Sequence, residues 1–121
     1  MIIDTDAGIE HIGRRIEEAS DGILGVVDPT AESLELALMR KRVADKLEKK
    51  FWTIANKVSD DVRDLIIKEA HRIGLNIDGF VRFDKELYIS CLKREQLKAS
   101  VALLDMKRIV EEKIIPEILK G

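Results

Sequence analysis

From Leu36 to Val58 apolar residues return every three or four positions: Leu36, Met39, Val43, Leu47, Phe51, Ile54 and Val58. At 100° per residue they occupy about a third of a helical circumference. No other pattern in the chain constrains its fold as tightly. Asp28-Pro29 stands before it, a capping acid followed by a proline suited to a first helical position. The pattern predicts one helix of about 30 residues from Pro29 to Val58.

Other punctuation supports further helices. Asp4 or Asp6 caps a first one, with Ile9, Ile12, Ile16 and Ala19 on one face and Asp21-Gly22 as its stop. The connector ILGVVDP is apolar but too short to be assigned to a strand, and is expected to pack under a helix end. Ser59-Asp60-Asp61 caps a third helix, with Val62, Leu65, Ile66, Ala70 and Ile73 turned inward and Gly74-Leu75 as a left-handed stop. Residues 75–83 (LNIDGFVRF) hold Asp78-Gly79, which suits a tight turn, so a short β-hairpin competes there with an ordered loop. Asp84 caps a last long helix to about Ile115, where Pro116 kinks it or starts a terminal turn. That helix carries two stripes. Tyr88, Leu92, Ala99, Leu103, Met106, Val110 and Ile114 form one, and Leu97, Val101, Leu104, Ile115 and Leu119 the other. Two stripes need two covered sides, supplied by the chain's own helices or by another subunit.

These elements predict an all-α fold. It is one domain over 1–121, an antiparallel bundle of about four helices with the second and fourth long. Aromatics at 4% are scarce for a β-sandwich, and 45% hydrophobic with 36% charged residues describes a chain that folds. No apolar run approaches a membrane span. The start, MIIDTDAGIE, has no secretory pattern, and the single cysteine, Cys91, fits a reducing compartment, so a cytoplasmic location is expected. One Gln and two Asn beside many charges suggest a thermophilic source.

Charge is unevenly placed. Residues 1–39 hold 2 basic and 9 acidic side chains, residues 40–57 hold 7 and 2, and residues 58–121 hold 12 of each. On a helical projection Arg42, Lys46, Lys49, Lys50 and Lys57 share one side, with Arg40 and Lys41 beside them. Such a ladder suits successive phosphates. The acidic first helix is an equally good partner for it, and a net charge of −2 weighs against general nucleic-acid binding. Trp52 would lie about 140° from the stripe's centre. It reads as a stacking platform for an unpaired base, as an anchor in a subunit contact, or as the rim of a broad core sector.

Catalytic patterns are weak. Asp60-Asp61-Val62-Arg63-Asp64 spells DDxxD, but acids in a first helical turn are ordinary and no second acidic cluster accompanies it. His11 and His71 lack a ligand at helical spacing, and Cys91 reads as a buried structural thiol. Ala70-x-x-x-Gly74 resembles the middle of a helix-turn-helix, yet Gly79 would break its second helix. No glycine-rich phosphate loop or nucleophile elbow occurs.

The expected function is a non-enzymatic interaction or assembly subunit, homo-oligomeric and most simply a dimer, with no cofactor or metal. Its contact residues would be Leu34, Trp52, Leu97, Val101, Leu104 and Ile115. The alternative is a nucleic-acid-binding accessory subunit using Arg40, Lys41, Arg42, Lys46, Lys49, Lys50 and Trp52 on RNA or DNA. An enzyme whose site forms only between subunits is the third reading.

Overall fold

The computed structural model describes residues 22–96, 98 and 100–120. The expected first helix, His11, Leu97 and Ala99 lie outside the described residues. Within them the chain alternates strand and helix: β1 (Gly22–Val27), α1 (Ala31–Lys46), β2 (Lys50–Val58), α2 (Asp60–Arg72), β3 (Gly79–Arg82), α3 (Lys85–Lys93), α4 (Val101–Ile109), a π-helical turn (Val110–Ile114) and α5 (Ile115–Lys120). The strands form one parallel sheet in the order β1-β2-β3. The all-α bundle is therefore wrong, and this is an α/β fold.

Two strands were hidden for different reasons. GILGVV is a short apolar run with two glycines, and such a run has no helical or strand period of its own. It forms β1, not a connector. In FWTIANKV the residues that continue the helical stripe are also aromatic or β-branched, the types a pleated surface favours. Here α1 ends at Lys46, with Leu47 as its cap and Glu48 at φ 55°, and Lys49 N–H returns to Ala44 C=O. The expected 30-residue helix is thus a helix of 16 residues followed by a strand of 9. The hairpin at 75–83 is also absent. Gly79–Arg82 is a strand, but it pairs in parallel with β2. Asp78 brackets its entry, donating its N–H to Thr53 C=O at 2.8 Å and accepting Thr53 N–H on Oδ2 at 2.7 Å.

Helices cover both faces of the sheet. Val27 and Ala55 pack with Leu34 and Ala37 of α1, with Ile66 and Ala70 of α2 and with Leu75. The alanines set the approach. Ala37 and Ala44 are buried, whereas Leu36 and Met39 of the predicted stripe are exposed. Small residues let α1 lie close to the strands, so its buried side is rotated from the one its large side chains marked. On the other face Ile54 and Val81 meet Ile109, with Met106 and Ile114 around them. Gly79 permits that contact, since a Cβ there would stand 2.7 Å from Ile109 Cδ1.

Expected stops appear in part. Ser59 and Asp84 are N-caps, and Gly74 is left-handed at φ 84°. For α1 the cap is Thr30, not Asp28; Thr30 Oγ1 accepts Ser33 N–H at 3.1 Å, and Pro29 precedes the helix. The last long helix is broken. It stops after Lys93 with left-handed Arg94 and resumes at Val101. Pro116 sits inside the final stretch, and the wider π turn just before it accommodates the ring and the missing N–H.

Candidate functional site at the carboxyl edge of the sheet

Three parallel strands end on one side of the molecule, and each runs within a few residues into a helix. Val27 leads through Asp28-Pro29-Thr30 into α1, Val58 through Ser59 into α2, and Arg82 through Phe83-Asp84 into α3. Three helix N-termini therefore share the carboxyl edge, where unsatisfied N–H groups and the helix dipoles favour anions. In open parallel sheets this is also the edge where ligands bind.

The central strand ends irregularly. Ala55 pairs with Phe80 and Val58 with Arg82, so β2 spends three steps where β3 spends two. The extra residue is a bulge at Asn56-Lys57. It returns Val58 to the α1/α2 face, where it is buried. It also holds Lys57 at φ 58°, a left-handed conformation that costs a non-glycine residue about 1–2 kcal/mol. Asn56 is half-buried and Lys57 exposed. Bulges often re-aim side chains beside functional sites. Lys57 lines the mouth of a cleft of about 380 Å³ with Pro29, Thr30, Ala31 and Ser59, and Leu34, Val62, Leu65 and Ile66 form its apolar walls between α1 and α2.

The β3 corner is tightly bonded. Asp84 is buried and accepts three N–H groups, from Leu87 on Oδ1 at 3.1 Å and from Ser100 and Ala102 on Oδ2 at 3.0 and 3.1 Å. One carboxylate thus caps α3 and ties the start of α4 to the sheet. Those donors, Ala102 first and then Leu87, hold its pKa below the ordinary value against the opposing effect of burial. Asp105 of α4 accepts Arg82 N–H and Nε on Oδ2, and Nη2 on Oδ1, each at 2.9 Å. The hydrogen bond from Arg82 lowers the Asp105 pKa, and the same bond raises that of Arg82. Asp78 goes the other way: burial raises its pKa more than the Thr53 N–H lowers it. A groove of about 630 Å³ along the β3 edge mixes Asp60, Arg63, Arg82, Asp105 and Arg108, among others.

The residues expected to act together are scattered. Leu34 and Trp52 are buried, Leu34 in the core and Trp52 on β2 beside Gly22, where a Cβ would collide with the indole. Val101 is half-buried at the start of α4, and Leu104 and Ile115 are exposed. Arg40, Lys41, Arg42 and Lys46 belong to α1, but Lys49 is in the turn and Lys50 opens β2, where its Nζ donates to Glu117 C=O. No continuous helical ladder joins these bases. Cys91 is exposed, contrary to the buried thiol expected, and His71 is exposed near the end of α2. Among the described residues no cluster of three or more His, Cys, Asp or Glu is placed to hold a metal, and no helix is long and apolar enough to cross a membrane. Asn56 and the Arg82–Asp105 pair were missed, since their settings depend on strand pairing and on contacts 23 residues apart, and Lys57 was placed on a helical ladder instead of at the end of β2.

No protein-family model matches the chain. It is 36% identical over 111 residues to an uncharacterized ATP-binding protein of Methanocaldococcus jannaschii, a match covering 92% of this chain and 43% of that protein. A second uncharacterized ATP-binding protein of the same organism is 39% identical over 125 aligned positions, 99% of this chain and 46% of its own length. The carbon monoxide dehydrogenase accessory protein CooC of Rhodospirillum rubrum is 35% identical over 89 residues, 72% of this chain and 33% of its own. The chain thus spans less than half the length of these relatives. Similarity to proteins named for ATP binding, on a parallel sheet, overturns both functional expectations, the homo-oligomeric assembly subunit and the nucleic-acid-binding accessory. Trp52, one of the expected contact residues, is covered within one copy, and the expected last rod is divided between Lys85–Lys93 and Val101–Ile109.

Proposed function

We propose that this chain is part of a nucleotide-binding α/β domain and that the carboxyl edge of its sheet meets ATP. The observation that carries the reading is the bulge closing β2, which keeps Lys57 left-handed beside three helix starts. Strain of that kind concentrates where a site needs a side chain in one place. The Lys57 ammonium suits a phosphate, and the start of α2, whose N-cap Ser59 makes no side-chain cap bond, adds N–H donors for the same charge. The Asn56 amide both donates and accepts, which suits the edge of a base. The names of the relatives agree with this reading.

The test is equilibrium ATP binding by the full chain and two variants. Asn56→Ala weakens binding about tenfold, the worth of a hydrogen bond left unmade in a site. Lys57→Gly weakens it similarly while raising stability by about 1 kcal/mol, because glycine adopts the left-handed conformation freely. Unchanged affinity in both variants contradicts the proposal.

A further inference from the structure

A left-handed lysine persists only where its surroundings hold it there. Part of that hold is on β2 itself, where Val58 is buried against α1 and α2. The rest comes from β3, a strand of only four residues. The bulge at Asn56-Lys57 exists because Ala55 is fixed opposite Phe80 and Val58 opposite Arg82. If Arg82 slips along β2, the extra residue is no longer extra and Lys57 relaxes to extended backbone. So short a strand makes few ladder bonds, and its ends decide its register. Each end is held by a carboxylate. At the entry Asp78 exchanges two hydrogen bonds with Thr53 of β2, at 2.8 and 2.7 Å. At the exit Asp105 reaches across from α4 and accepts three donors of Arg82, its N–H, Nε and Nη2, each at 2.9 Å. One residue further, Phe83 N–H donates to Val58 C=O at 3.3 Å, so the restraint arrives next to Lys57.

We infer that Asp105 is a positioning residue of the candidate site: it sets Arg82, Arg82 sets Val58, and together they keep Lys57 left-handed at the carboxyl edge. That the ligand is ATP rests on the nucleotide reading above; the mechanical chain from Asp105 to Lys57 does not. Asp105 stands on a fixed mount. Asp84 ties down the start of α4 through the N–H groups of Ser100 and Ala102, and Ile109 of the same helix packs on Ile54 and Val81. Those contacts attach the helix without Asp105. Burying a carboxylate adds a desolvation cost, and the Asp105 side chain is 7% exposed against 50% for Arg82. What the carboxylate supplies is direction, because a guanidinium fork bound at both oxygens is fixed in orientation as well as in distance.

The experiment measures ATP affinity, melting temperature and the backbone chemical shifts of residue 57 in the full chain, in Asp105→Asn, in Lys57→Gly and in the double variant. Asp105→Asn sets a donor against the Arg82 donors in place of an acceptor. It is expected to move the Lys57 shifts out of the left-handed range and to weaken ATP binding about tenfold, as Lys57→Gly does. The sign discriminates. Removing a negative charge beside Arg82 would tighten an anion by Coulomb attraction alone, and a merely structural Asp105 would lower the melting temperature at unchanged affinity. Ala44→Leu supplies that structural case, since it destabilises the chain near the amino edge of the sheet and keeps the affinity. In the double variant the losses do not multiply: affinity stays about tenfold below wild type rather than about a hundredfold, because both changes act on one side chain. Should Asp105→Asn fail to fold, Arg82→Lys replaces it; it keeps the backbone bond, loses the fork, weakens ATP binding a few-fold and moves the Lys57 shifts part of the way. The inference is overturned if Asp105→Asn binds ATP as tightly as wild type or tighter, if the two losses multiply, or if Lys57 stays left-handed in Asp105→Asn. A wild-type chain that binds no ATP sinks the nucleotide reading, and the Lys57 shifts then decide the positioning alone.

Discussion

Asp78 and Asp84 stand before and after the same strand and respond to pH in opposite directions. The N–H groups of Ala102, Leu87 and Ser100 lower the Asp84 pKa, so its contribution is full above the unfolded value near 3.9 and fades as pH falls through the lower folded value. Burial raises the Asp78 pKa, so its charged form costs stability once pH rises above that raised value. Thermal melts check both. Asp84→Asn melts roughly 5–10 °C lower at pH 7, a loss of capping that shrinks in acid. Asp78→Asn keeps an oxygen for Thr53 N–H, sheds the buried charge and melts higher at pH 7, and this gain disappears in acid. Ser59, Gly74 and Asp84 were legible in the sequence because a cap or a left-handed stop is a local matter. The second duty of Asp84, tying down Ser100 and Ala102, was not, because those donors lie 16 and 18 residues away.

For the elements, periodicity located α2 and misled over Pro29–Val58. A spacing of three and four places Phe51, Ile54 and Val58 in line with Leu47, and only the β-branched and aromatic content of 51–58 argued otherwise. The same stripe misjudged α1, whose buried side is set by alanine. A pair of substitutions separates the two descriptions. Ala44→Leu, at a fully buried position against the sheet, destabilises by about 1–3 kcal/mol through overpacking. Met39→Ala, at a position 46% exposed, costs under about 0.5 kcal/mol. Chemical denaturation measures both, and the reverse order would restore the predicted helix face. The two-striped last helix failed for a related reason: the helix ends after Lys93 and another starts at Val101, so neither stripe runs along one continuous rod.

At the scale of the whole molecule, the described residues form a layered α/β unit whose three strands end at one edge. The alternation of short apolar runs with helical stretches, GILGVV, FWTIANKV and GFVR between α1, α2 and α3, is the sequence trace of that order. It was legible only to a reading that gave composition priority over period. The candidate site was less visible still, since Asn56 and Lys57 gain their meaning from a bulge that exists only once β2 and β3 pair. The most direct measurement is an ATP titration of the ¹⁵N-labelled chain followed by amide chemical shifts. Progressive shifts at Asp28–Ala31, Asn56–Asp60 and Phe83–Lys85 are predicted. Shifts confined to the opposite edge, at Glu48–Lys49 and Leu75–Asn76, or none at millimolar ATP, would contradict the account.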